Sequence, residues 1–205
     1  MTSLTEGARM SAESLVRRLN VGCGRNSLPG WINLDFTALP GVDVVADLEK
    51  CDMTPIPLES DSIDEFLLSH VIEHIRGSLD LMQELYRLAK PNARAVIRVP
   101  HGGSDDAWED QTHIRAYFAQ SFGYFSQPFY WRADYGYRGD WQPKRITFFA
   151  DAQLCRGMDV QTVLELIQSR RNVVREMVAE LEAIKPARPP LRELLFPAAI
   201  EIALV

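Results

Sequence analysis

A series of short apolar runs, each closed by a glycine turn or a polar residue, constrains this chain more than any other feature. Leu19–Val21 leads into Gly22-Cys23-Gly24, Trp31–Leu34 into Asp35, and Val42–Val45 towards Asp47. Phe66–Leu68 leads into Ser69-His70, and Ala95–Val99 into Pro100-His101. Apolar runs of this length with little polar alternation read as strands buried on both faces, as in a parallel sheet. Between the last two runs Leu79, Met82, Leu85 and Ala89 recur at helical spacing, and Lys90-Pro91-Asn92 stops the pattern. Strand, helix and further strand make a right-handed crossover, so the string predicts an α/β fold with a doubly wound sheet.

After residue 100 aromatic side chains become dense. Asp159 to Ile184 is expected to be one long C-terminal helix, because Val160, Val163, Ile167, Val174, Met177, Leu181 and Ile184 follow three-four spacing interrupted at Arg170. Pro186, Pro189 and Pro190 end it, Ile200–Val205 reads as a final strand, and a short helix is expected around Ala12–Arg17. The 205 residues fit one domain, 1–205, with a ligand-binding half over 18–100 and an aromatic half, long helix and final strand over 101–205.

A net charge of −6 sets the bulk field against nucleic acid and anionic membrane surfaces. The three cysteines are scattered, with no CxxC spacing, which points to reduced thiols in a cytoplasmic protein rather than to a disulfide framework or a zinc finger. No stretch approaches the roughly 20 apolar residues of a membrane span, and the N-terminus lacks a signal-peptide core, so no membrane partner is expected.

Ligands of an open parallel sheet bind outside the carboxyl ends of its strands. There, Gly22 and Gly24 allow a sharp turn and a close backbone approach. Asp35 closes the next strand, where a carboxylate can accept from both hydroxyls of a ribose. Asp47 closes the third, in position to meet the exocyclic amine of an adenine. Leu19-Asn20-Val21-Gly22-Cys23-Gly24 resembles motif I of the class I S-adenosylmethionine-dependent methyltransferases. Asp47-Leu48, Pro55-Ile56-Pro57-Leu58, Ser62-Ile63-Asp64-Glu65, Ser69-His70-Val71-Ile72-Glu73-His74 and Leu85-Tyr86-Arg87-Leu88-Ala89-Lys90-Pro91 are similar to the family's following segments, over roughly residues 18–125. The resemblance implies a mostly parallel seven-stranded sheet and S-adenosyl-L-methionine over Gly22–Gly24, with Asp35 on its ribose. Asn20, Cys23, Asp47, Leu48 and Ser69 complete the expected cofactor-binding set. Asp35 follows Gly24 too closely for a full first crossover helix, whereas a dinucleotide fold spaces its acid about 20 residues on. NAD, which relies on that helix for its pyrophosphate, is not expected.

All four histidines fall between residues 70 and 113. His70, Glu73, His74, His101, Asp110 and His113 are the catalytic candidates. His70, Glu73 and His74 share a face if that stretch is helical. The arrangement resembles a metal-assisted branch, the small-RNA 3′-terminal methyltransferases, with His70 where that branch has an acid. Two readings stay open: a divalent metal, Mg2+ or similar, held by His70, Glu73, His74 and His113, or a histidine base without metal. Either would take the proton of a hydroxyl acceptor. Trp108, Trp131 and Trp141, interleaved with Asp106, Asp110, Arg132, Asp134, Arg138 and Asp140, suit a sugar, so the expected reaction is O-methylation of a glycan or other small-molecule hydroxyl. The alternatives are a macromolecular acceptor, RNA or protein, and a non-catalytic donor-binding scaffold. The long helix makes a homodimer a further expectation.

Overall fold

The computed structural model of the chain describes residues 16–205. The helix expected around Ala12–Arg17 lies outside them except for Val16 and Arg17, which are not helical. The predicted strands form as β1 Arg18–Val21, β2 Ile32–Asp35, β3 Val44–Val45, β4 Ile63–Ser69 and β5 Ala89–Pro100. β6 Trp141–Ala150, β7 Val174–Ala183 and β8 Ala199–Leu204 complete one sheet, in the order β3-β2-β1-β4-β5-β7-β6-β8. Among the described residues, only β7 runs antiparallel to its neighbours, β5 and β6. The doubly wound, mostly parallel α/β class therefore holds, with eight strands rather than seven.

Helix α1, Ser78–Leu88, forms the β4-to-β5 crossover and seats Leu81, Met82, Leu85 and Leu88 fully in the core. Trp141 packs edge-on to Phe66 and donates its indole N–H to the Met82 carbonyl at 2.9 Å, tying β6 to α1. Its complete burial removes it from the acceptor-facing set, because no face is left to stack on a ligand. Asp140 leaves that set for the same reason: it is fully buried and takes the Arg188 guanidinium through both oxygens.

The long C-terminal helix does not form. Helix α3 spans only Val160–Ser169, Asn172 turns the chain at φ +59°, and β7 takes the remainder. β6 and β7 pair Phe149 with Glu176 but Ala150 with Val174, so Arg175 is an extra residue in β7. That bulge shifts the strand's phase and buries both Val174 and Met177, imitating a helical interval of three.

The sheet also departs from burial on both faces. Right-handed crossovers leading in opposite directions from β1 lie on opposite faces. Those from β1 to β2 and from β2 to β3 contain no helix. Their face instead carries charge across the strands: Arg18–Glu65, Arg94–Glu180, Arg145–Glu180 and Arg145–Glu201 pair within 3.0 Å.

Candidate active site

β1, β2 and β4 are adjacent and parallel, so Gly22–Gly24, Asp35 and Ser69-His70 gather at one edge of the sheet. Gly22 and Gly24 both take left-handed backbone, at φ +65° and +54°. A Cβ on Gly22 would lie 2.7 Å from a Val71 methyl, whereas one on Gly24 would meet nothing within 4 Å. Gly22 is required for packing, then, and Gly24 borders open space in which a ligand can approach the backbone. Asp35 Oδ2 accepts from the Gly24 N–H at 2.7 Å and Oδ1 from the Thr37 N–H at 3.0 Å. Each oxygen keeps a further lone pair for a hydroxyl.

The other expected donor-side residues divide by what they already hold. Asn20 is buried and donates to the Asn26 carbonyl and to Asn33 Oδ1, so it fixes the loop that replaces the missing helix. Cys23 is buried, with its thiol pushed up mainly by desolvation, and its sulfur reaches the Gly24 carbonyl. Asp47 caps the 3-10 turn Leu48–Lys50 through the Glu49 N–H and pairs with Lys50 at 2.7 Å. Lys50 holds its carboxyl below the usual range. Leu48 is buried beneath that turn, and Ser69 is exposed at the end of β4. This loop geometry fits S-adenosylmethionine, which has no phosphate and needs no helix N-terminus.

Beyond β4, His70 takes φ +55° and only Ile72–His74 is helical, as a 3-10 turn. The shared helical face of His70, Glu73 and His74 is therefore not built, yet the tertiary fold still assembles most of the cluster. The loop after β5 docks on this turn, as the Ile114 N–H donates to the Glu73 carbonyl at 3.0 Å. Glu73, His74 and His113 each bring a ligand-type atom to within 4.8 Å of the others. His70 stands apart from that trio. Its Nε2 lies 2.7 Å from Glu176 Oε1 and its Nδ1 3.3 Å from Glu73 Oε1, and Glu73 first, with Glu176, raises its pKa.

Thr112 organises the cluster. Its hydroxyl donates to Asp110 Oδ1 at 2.6 Å, and Asp110 Oδ1 also accepts the Thr112 N–H, an Asx turn. His74 Nδ1 lies 3.2 Å from the Thr112 carbonyl and 3.0 Å from its Oγ1. A carbonyl only accepts, and the hydroxyl proton is already used. Nδ1 therefore carries a proton, and in the neutral form of the ring the lone pair is on Nε2. His113 Nε2 is 3.8 Å from Asp110 Oδ2. His70, His74, Asp106, Asp110, His113 and Glu176 are among the residues lining a cavity of about 560 Å³ here.

His101 is not brought to this cluster. It is buried edge-on against Phe118 and Phe148, desolvation lowers its pKa, and its Nδ1 accepts from the Gly103 N–H. It lines a second, apolar cavity of about 970 Å³ between β6, α3 and the segment before β8. The residues missed in the sequence are Thr112 and Glu176. Asp110-x-Thr112 carried an Asx-turn signal, but Glu176 was hidden inside the expected long helix. Of the tryptophans expected to face a sugar, Trp108 stays 65% exposed on α2, Asp106–Glu109, and Trp131 has the Arg132 and Arg192 guanidiniums over its ring.

Residues 19–97 match a family described as a methyltransferase domain. No curated protein matches the chain in sequence. Among solved structures, it resembles a SAM-dependent methyltransferase from Archaeoglobus fulgidus, at 17% identity and a TM-score of 0.58, over 82% of this chain and 86% of that one. It also resembles a chain from the complex of the Haloferax volcanii Trm112 methyltransferase activator with a methyltransferase, at 13% identity and a TM-score of 0.53, over 88% and 87%. The [4+2]-cyclase SpnF aligns at 11% identity and a TM-score of 0.51, over 82% and 74%, so the fold alone does not set the reaction. Within residues 19–97 the chain thus carries a methyltransferase-domain match, and its fold is the one seen in S-adenosylmethionine-dependent methyltransferases.

Proposed function

We propose that the chain transfers the methyl group of S-adenosylmethionine to a hydroxyl of a small molecule, a sugar or glycosylated compound being the acceptor class. The observation that carries this reading is the convergence of Glu73, His74 and His113 on the sheet edge that also holds Gly22–Gly24 and Asp35. S-adenosylmethionine, when bound, supplies a methyl on a sulfonium sulfur, which leaves as a neutral thioether. The chain must align the acceptor oxygen with that methyl and take away the hydroxyl proton as the O–C bond forms. The Nε2 lone pair of His74 and the Glu73 carboxylate are suited to that second task, alone or through a cation. Exposed Trp108, beside Asp106 and Asp110 of the cavity wall, offers a ring for a sugar face. A reducing, cytoplasmic setting belongs to the same reading, since Cys23, Cys51 and Cys155 are all buried and free. Among the described residues no helix is long and apolar enough to cross a membrane. The homodimer expectation rested on the long helix and has no support without it.

The test is calorimetry and thermal shift with S-adenosylhomocysteine and with NAD, followed by labelled-methyl transfer to panels of hydroxyl acceptors. S-adenosylhomocysteine should stabilise the protein and NAD should not. His74→Ala and His113→Ala should lower the rate by about 10²–10⁴ while donor affinity holds. Label on carbon or nitrogen, or full activity in both variants, would refute the hydroxyl reading.

A further inference from the structure

Glu73 is 2% exposed, and among the described residues neither of its carboxylate oxygens has a hydrogen-bond partner. A buried carboxylate without hydrogen bonds is strongly disfavoured unless a cation compensates it. The nearest basic group, His70 Nδ1 at 3.3 Å, makes no well-formed hydrogen bond to it and is drawn by its other nitrogen towards Glu176. His113 repeats the pattern, with Nδ1 buried and without a partner. The two imidazoles meet edge to face at 4.7 Å between centroids.

We propose that Glu73, His74 and His113 bind one divalent transition-metal ion of the zinc or manganese class. Two imidazole nitrogens and one carboxylate oxygen form a borderline donor set, and three protein ligands leave further positions open to the cavity. Mg2+, named with similar ions in the metal reading of the sequence, fits poorly because it prefers oxygen ligands in octahedral geometry. The outer contacts agree with a metal site. His74 donates its other nitrogen to the Thr112 carbonyl, as metal-bound histidines generally do. His70 is left out of the ligand set because its ring nitrogens do not converge with the other three residues; Nε2 is on Glu176 and Nδ1 lies beside Glu73. The proposal deepens the hydroxyl-methylation reading, since an ion here would lower the pKa of a coordinated hydroxyl, but the site stands on its own residues.

The chelator-treated full chain is titrated separately with Mn2+, Zn2+ and Mg2+, followed by calorimetry and, for Mn2+, by electron paramagnetic resonance. One Mn2+ or Zn2+ should bind per chain, more tightly than Mg2+. Glu73→Gln and His113→Ala should each weaken it at least about a hundredfold, and Thr112→Val, whose carbonyl remains, by tenfold or less. S-adenosylhomocysteine affinity should be unchanged in all of them, so loss of donor binding would indict the methyltransferase reading and not the metal site. If Glu73→Gln does not fold, His113→Ala alone decides. Absence of saturable Mn2+ and Zn2+ binding, equal binding by wild type and the ligand variants, or tighter binding of Mg2+ overturns the proposal.

Discussion

Asp35 Oδ2 accepts the backbone N–H of Gly24 at 2.7 Å, so the carboxylate that ends β2 braces the turn that ends β1. One side chain thus shapes the proposed donor loop and offers lone pairs to the donor itself. Asp35→Ala should weaken S-adenosylhomocysteine binding by about 1.5–3 kcal/mol, as expected for charge-assisted hydrogen bonds. Calorimetry on the folded variant decides this, and unchanged affinity would take Asp35 out of the site.

The two motif glycines should separate stability from binding. Gly22→Ala puts a methyl 2.7 Å from Val71 in left-handed backbone and should cost about 2–4 kcal/mol of stability. Gly24→Ala has left-handed backbone but open space, so it should cost only about 1–2 kcal/mol in stability while obstructing the donor. Denaturant melts and donor titration of both variants give the comparison. Equal stability losses would contradict it.

The Asp140–Arg188 pair is the other sensitive point. Asp140 is fully buried and also accepts from the Gln127 and Arg188 backbone N–H groups. Arg188→Met should cost about 3–5 kcal/mol, because it leaves a buried carboxylate without its cation. Each kcal/mol lowers Tm by about 2–4 °C in a domain of this size. The double variant Asp140→Leu/Arg188→Met should be less damaged than Arg188→Met alone, and a simple sum of the single losses would argue against the coupling.

On the charged sheet face, Glu180 pairs with both Arg94 and Arg145. Burial alone would raise its pKa, but the two guanidiniums outweigh that and hold it below the usual 4.5. A depressed carboxyl contributes stability above its unfolded pKa and loses that contribution as pH falls through the folded value. Glu180→Gln should therefore be less stable than wild type at pH 7, the gap closing as pH falls below about 4. Denaturant melts across pH 3–7 test this, and a gap independent of pH would show that the charge is not its source.

The ligand end of the sheet was legible in the sequence because its signals are local. Gly22 and Gly24 fix φ, Asp35 ends a strand, and Leu79, Met82 and Leu85 recur at helical intervals, although Ala89, read as the next turn, begins β5. The second half was not, because its periodicity depends on a partner strand. Val174 and Met177, three apart, are both buried only through the bulge at Arg175, which exists by virtue of pairing with β6, and Leu181, four further on, fits helix and strand alike. The cluster was half legible. His74 and His113 could be named, but Thr112 acts through a carbonyl that every residue has, and Glu176 enters from a strand with no sequence link to the loop. Trp141 and Asp140 misled because polar neighbours in sequence say little about which side chain meets its partner in the core.

Thr112 has one consequence for traffic through the cluster. Its hydroxyl proton is committed to Asp110 and its carbonyl can only receive, so His74 faces a wall of acceptors on its Nδ1 side. The hydroxyl beside Nδ1 is the one that donates to Asp110, so ring, hydroxyl and half-exposed carboxylate form a chain of donors ending on an acceptor. A proton taken up at Nε2 would thus have a path through Nδ1 and Oγ1 to Asp110 on the cavity wall, so turnover at this cluster would be exposed to the buffer in the mouth of the site.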